Sequence, residues 1–187
     1  MSDGRTRRYE TIIATLVGVC ALLVSAYTAY IQKQQVRAQV LPILEYSTSN
    51  EPFIRFSIAN KGVGPALIRH VTVEVDGKVV TRWRDVLLAL AGPGKFGFWQ
   101  STFAGRTVSP GESIDVLVPW GKGGPLKLAD HDPLYEKLNE TRSKVSVAIC
   151  YCSTLGDCWT LQAGKSDADT TVETRHCPAK SDSTFLQ

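Results

Sequence analysis

Histidine is scarce in this chain, with three in 187 residues. His70, His131 and His176 stand apart in sequence and form no recognisable metal pair or triad. Strong charge of one sign is also missing, since the formal net charge is only +3. The net positive excess sits around Arg5, Arg7, Arg8, Lys33 and Arg37, where it suits lipid headgroups. The remainder is close to neutral and offers no basic stripe for nucleic acid. Gly164-Lys165-Ser166 resembles the end of a phosphate loop, but the earlier glycine such a loop needs is replaced by Trp159. There is no internal repeat and no catalytic constellation, so the sequence assigns no catalytic residue, cofactor or metal. Asp115, Asp130, Asp132 and Asp157 read as cap, turn or surface residues, and Asn139-Glu140-Thr141 has the form of a glycosylation sequon, which a bacterial protein would carry by accident.

One long apolar run is present, Ile12 to Ile31, and it carries no charge. About 20 residues rising roughly 1.5 Å each match a hydrocarbon core of about 30 Å, so the run predicts one transmembrane helix. Arg5, Arg7 and Arg8 before it outnumber Lys33 and Arg37 after it, which places the amino terminus in the cytoplasm. A cleaved signal peptide ending at Val24-Ser25-Ala26 is the rival reading. Against it, apolar character continues through Tyr27, Ala29, Tyr30 and Ile31. The organisation expected is a cytoplasmic stub over 1–11, a membrane helix over 12–31, a stem over 32–41, a folded domain over 42–177 and a loose tail over 178–187.

After the stem, roughly 145 residues suit one domain. Short alternating runs dominate it. Val40 to Tyr46 is a candidate first strand; Ile54, Phe56 and Ile58 share a face in the next. Leu67 to Val75 alternates again, and Asp76-Gly77 signals a hairpin returning over Lys78 to Thr81. Trp83, Val86, Leu87 and Leu90 fall at helical spacing within Arg82 to Leu90, ended by Gly92-Pro93-Gly94. Strand character resumes over Phe96 to Phe103 and at Ile114, Val116 and Val118, with a turn at Ser109-Pro110-Gly111-Glu112 and a flexible loop expected over Gly121 to Pro125. Asp132 can cap a second short helix with Pro133 at its first position, and Leu134 and Leu138 then share a face. Lys144 to Cys152, Cys158 to Gln162 and Thr170 to Arg175 complete the strands. This is a mainly β pattern, an immunoglobulin-like β-sandwich with one or two short helices. Its predicted core is Ile54, Ile58, Val71, Val73, Ile114, Val116, Val147 and Ile149.

Cys20 lies in the apolar span as a small apolar residue. The other cysteines, Cys150, Cys152, Cys158 and Cys177, crowd the last quarter of the chain. An even number fits two disulfides in an oxidising compartment, in agreement with the orientation read from charge. If Thr154-Leu155-Gly156 forms a three-residue loop with Gly156 left-handed, Cys152 lies opposite Cys158 and Tyr151 opposite Trp159. Opposed β-carbons are close enough for a bridge with local adjustment, and Cys150 then pairs with Cys177. Three connectivities are open to four cysteines. A zinc site, with His176 as a further ligand, and free thiols are the competing readings.

Asn60-Lys61-Gly62-Val63-Gly64-Pro65-Ala66 is a dense turn cluster in which glycines permit positive φ and Pro65 stiffens the exit. Turn chemistry accounts for it; a nest of backbone N–H groups for an anion is the functional alternative. The anchor, the stem, the Pro42-bearing first strand, this Asn-x-Gly-x-Gly-Pro-Ala turn and the hairpin residues Tyr151, Ser153 and Gly156 together resemble a group of uncharacterised bacterial single-pass β-sandwich proteins. The resemblance runs over most of Leu16 to Trp159, and the cysteine bracing departs from it. It implies a bacterial single-pass protein and brings no catalytic residues; with the charge and cysteine readings, the expected place is the inner membrane, with the domain periplasmic or extracellular.

Trp83, Trp99, Trp120 and Trp159 read mainly as core or interface aromatics, with Trp99 and Trp120 the candidate binding pair. Three functions are compatible with these features. The first is a non-enzymatic, membrane-tethered adaptor or scaffold domain, its tether raising the effective concentration of membrane or envelope protein partners. The second is an extracytoplasmic ligand- or glycan-binding sensor, using exposed tryptophans near Trp99 and Trp120. The third is an enzyme with a site assembled from distant residues. Lipid is a partner through the anchor in each.

Overall fold

The computed structural model describes residues 3–164, 169–179, 181 and 184–186. It divides into two compact units, Met1–Gln39 and Val40–Gln187. The first is a helix, α1 (Asp3–Gln39). Its segment Tyr9–Gln39 is long and apolar enough to cross a membrane. The hydroxyls of Thr15, Ser25 and Thr28 each donate 2.8 Å bonds to the carbonyl four residues earlier. Their polarity is thus satisfied inside the helix, as apolar surroundings require. The helix is longer than its apolar run predicts at both ends. It begins at Asp3, within the expected stub, and continues through the stem to Gln39, as the helix formers Gln32 to Ala38 allow.

The second unit is mainly β. Its strands are β1 (Leu44–Ser49), β2 (Arg55–Asn60), β3 (Ala66–Val75), β4 (Lys78–Val80), β5 (Gly97–Gln100), β6 (Thr107–Val108), β7 (Ser113–Gly121), β8 (Gly124–Pro125), β9 (Val145–Cys152), β10 (Cys158–Ala163) and β11 (Thr170–Thr174). Two short helices join them, α2 (Trp83–Ala91) and α3 (Pro133–Thr141). One antiparallel sheet runs β1-β2-β7-β5, with β8 on β7; the other runs β11-β10-β9-β3-β4, with β6 on β3. The two form an immunoglobulin-like sandwich, and all eight core residues named from the sequence are buried. The first strand starts at Leu44 rather than Val40, because residues 41–43 bond to the turn after β2 instead.

The α2 helix buries the predicted Trp83, Val86, Leu87 and Leu90, and ends where Gly92 turns to φ 86°. The side chain of Asp132 caps α3, accepting 2.9 Å from the Leu134 N–H. On α3 it is Tyr135 and Leu138 that are fully buried, while Leu134 packs only partly against the core. Thr141, in the Asn139-Glu140-Thr141 sequon, is buried and donates to the Leu90 carbonyl at the end of α2. Asp76 (φ 50°) and Gly77 (φ 76°) form the predicted hairpin turn. Of Phe96 to Phe103 only Gly97–Gln100 is strand, and Gly121 to Pro125 is a tight return onto β7 rather than an open loop.

The expected loose tail is partly docked. Phe185 is buried, its N–H donates 2.9 Å to the Val71 carbonyl, and Leu186 N–H donates 2.7 Å to that of Thr81. Apolar burial at Phe185 is what a composition-based reading of a polar terminus overlooks. Lys165 and Ser166 of the phosphate-loop-like triplet, and residues 180, 182, 183 and 187 of the tail, lie outside the described residues.

Candidate functional site

The hairpin between β9 and β10 is braced in the register read from the sequence. Cys152 faces Cys158 and Tyr151 faces Trp159. Gly156 takes φ 86°, its N–H reaches the Ser153 carbonyl at 3.1 Å, and Ser153 N–H meets the Asp157 carbonyl at 2.8 Å. Disulfides join Cys152 to Cys158 and Cys150 to Cys177. The rings of Tyr151 and Trp159 stack with centroids 5.9 Å apart, on the rung beside the first bridge. Burial raises the Tyr151 hydroxyl above its ordinary pKa, which keeps it neutral and able to donate.

The Asn60 turn is a structural lock. Asn60 is 0% exposed. Its Oδ1 accepts from Ile43 N–H at 3.2 Å and Gly62 N–H at 3.0 Å; its Nδ2 donates to the carbonyls of Gly64 at 2.8 Å and Val108 at 3.0 Å. Lys61 N–H bonds to the Ile43 carbonyl, and the Val63 and Gly64 N–H groups share that of Leu41. Every N–H from Lys61 to Gly64 is therefore spent inside the protein, and the anion-nest alternative has no donor left. The reason for the glycines also differs from expectation. Neither Gly62 nor Gly64 has positive φ. A Cβ at Gly62 would run into the backbone of Leu41 and Ile43, and one at Gly64 into that of Val40. Close passage of chain over chain excludes any side chain there. Pro65 follows and leads into β3.

Trp99 and Trp120 are brought together by the β5–β7 pairing. Trp99 faces Val118 and Trp120 faces Gly97, so both indoles stand on one face of neighbouring strands, two positions apart. That face points to solvent: Trp99 is 50% exposed and Trp120 44%, while Phe98 between them in alternation packs against the core. The missing side chain of Gly97 opens the space beside Trp120, whose Cβ a Cβ at Gly97 would approach to 3.2 Å. Exposed Lys95 and Lys122 lie close in sequence to the two tryptophans. The other two tryptophans serve packing, Trp83 in the core and Trp159 against Tyr151.

Sequence reasoning missed a groove of about 370 Å³ lined by Arg82, Trp83, Arg84, Phe98, Gln100 and Leu186. Arg82 and Arg84 straddle the start of α2, which has no side-chain cap, and Asp85 is the acidic residue of its first turn. Cations at a helix N-terminus oppose the helix dipole, and that local conflict is the signal legible in the sequence. His70, whose place in an alternating strand suggests a surface position, is only 8% exposed, because a register shift between Ile68 and His70 tucks it beside Cys150. Its Nε2 lies 3.2 Å from the Thr72 hydroxyl, and its Nδ1 has no hydrogen-bond partner among the described residues. His131 (φ 47°) precedes α3, and His176 follows β11. No family model, curated protein or solved structure matches the chain.

Proposed function

We propose that this protein is a membrane-tethered, non-enzymatic interaction domain, held by α1 in a bacterial inner membrane with its amino terminus cytoplasmic and its sandwich outside. The observation that carries this reading is the exposed pair Trp99 and Trp120 on the outer face of β5 and β7. Exposed large aromatics on a rigid sheet are the usual anchors of protein interfaces. The disulfides support the extracytoplasmic side, because such bridges persist in oxidising compartments. A membrane-confined partner meets the face at raised effective concentration.

Photo-crosslinking residues placed at Trp99 and Trp120 in native membranes test this reading. The same discrete protein adducts are expected from both positions, with none from a control at exposed Leu155. Adducts absent at both positions would overturn it. A carboxyl-terminal reporter that behaves as cytosolic would overturn the topology.

The groove beside Arg82 and Arg84 favours a second reading, the ligand sensor. Neither guanidinium has a carboxylate partner among the described residues, and the apolar Phe98 and Leu186 share the lining. That chemistry suits an anionic, partly apolar ligand. Ligand-induced quenching of tryptophan fluorescence that Arg84→Gln abolishes would select this reading over the first.

A further inference from the structure

Both disulfides lie on one face of their sheet. Cys150 and Cys152 are two residues apart on β9 and therefore point the same way. Cys158 faces Cys152 from β10, and Cys177, just past β11, bonds back to Cys150. This brings the two bridges into contact, with Cys152 Sγ 3.8 Å from Cys177 Sγ. The sulfurs of Cys152, Cys158 and Cys177 all fall within 4.8 Å of one another. Cys150 Sγ lies outside that trio and is tied to it through its bond to Cys177, so it completes a four-sulfur set only by shifting once the bridges open.

Tetrahedral zinc holds thiolates at about 2.3 Å, which places sulfurs about 3.8 Å apart. The gap between the two bridges already has the length of such an edge. We infer that the reduced chain binds one thiophilic cation of the Zn²⁺ class on Cys150, Cys152, Cys158 and Cys177, so that bridges and metal are alternative states of one sulfur cluster. Reduction of both bridges by dithiols takes up four electrons and four protons, each dithiol becoming a disulfide. Binding of the cation to the four thiols then releases four protons. Hard cations such as Ca²⁺ and Mg²⁺, which take oxygen ligands, do not fit an all-sulfur set.

The framework that gathers the sulfurs does not depend wholly on the bridges. The β9–β10 ladder, the Tyr151–Trp159 rung and the Ser153–Asp157 bond hold Cys150, Cys152 and Cys158, while β10–β11 pairing brings Thr174 opposite Cys158 and delivers Cys177. Cys150, Cys152 and Cys158 are buried. Cys158 also lines an open groove of about 390 Å³ with Asp157, Glu173 and Arg175, a path by which an ion can reach the cluster. The Cys-x-Cys pair alone lacks the usual zinc-knuckle spacing, and it is the strand register that supplies the other two ligands.

The inference is independent of the interaction-domain reading and is tested on the full chain in detergent, with Cys20→Ala removing the remaining thiol. The protein is reduced with a phosphine, freed of it under anaerobic conditions, and titrated with Co²⁺. One Co²⁺ per chain is expected, with thiolate-to-cobalt charge-transfer and tetrahedral ligand-field bands that Zn²⁺ abolishes by displacement. The oxidised chain should give none. Zn²⁺ should also raise the thermal midpoint of the reduced chain, or restore its native circular dichroism if reduction alone unfolds it. Absence of the bands overturns the inference, as does their survival in Cys152→Ser/Cys177→Ser. Co²⁺ binding together with no gain in folding on adding Zn²⁺ also overturns it, because that is the behaviour of thiols in an unfolded chain.

Discussion

The ring of Phe185 meets the ring of Trp83 edge-on, with centroids 4.7 Å apart and planes at 69°. Phe103 and Phe56 complete the group around Trp83, at 6.2 and 6.4 Å. A residue near the end of the chain is thus part of the central core. Phe185→Ala is expected to destabilise the domain by about 3–5 kcal/mol, the range for emptying a buried aromatic site. Urea unfolding followed by tryptophan fluorescence measures this. An unchanged midpoint would mean that the tail does not hold the core together.

Asn60 makes four hydrogen bonds from a site without solvent. Asn60→Ala strands two N–H groups and two carbonyls, and a cost of at least about 2 kcal/mol is expected. Asn60→Asp should be no better, because it removes both donations and buries a charge. Chemical denaturation of both variants checks this.

The two disulfides close loops of different length, with sequence separations of 27 for Cys150–Cys177 and 6 for Cys152–Cys158. Chain-entropy arithmetic gives about 3.5 kcal/mol for the longer and about 2 for the shorter. Cys150→Ser/Cys177→Ser should therefore lower the thermal midpoint more than Cys152→Ser/Cys158→Ser. Parallel calorimetry of the two double variants decides the order.

Glu112 accepts 2.8 Å from the Ser109 N–H and pairs with Arg106 at 2.7 Å. The Ser109 backbone bond, with help from the Arg106 guanidinium, holds its carboxyl below the ordinary range. A depressed folded pKa stabilises the protein above the unfolded value of about 4.3, and that gain is lost as pH falls through the folded value. Glu112→Gln should cost under about 1 kcal/mol at pH 7, since both partners are solvent-screened. The difference from the parent should vanish in acid, and denaturation midpoints measured across pH 2 to 7 would show it.

Local rules made much of the molecule readable. Ile54, Phe56 and Ile58 announce a buried face by alternation, and Trp83, Val86, Leu87 and Leu90 announce a helix by their spacing, because each pattern is set within one element. The Cys152–Cys158 rung was readable for the same reason, since a three-residue loop ending in Gly156 fixes register without help from the rest of the chain. The purpose of Gly62 and Gly64 was not, because the backbone that forbids their side chains arrives from Val40 and Leu41. Nor was the burial of His70, which follows from a register shift, or that of Phe185, which depends on packing against Trp83 and Phe103.

The sequence by itself determined the apolar helix, the alternating strands, the capped second short helix and the hairpin that opposes two cysteines. These depend on period, turn chemistry and cap residues a few positions apart. Only the tertiary structure decided that Trp99 and Trp120 share an exposed face, that Arg82 and Arg84 open onto a groove with Phe98, and that the two disulfides touch. Each of those depends on which strands lie side by side, and strand pairing is a choice among distant segments that no local pattern encodes.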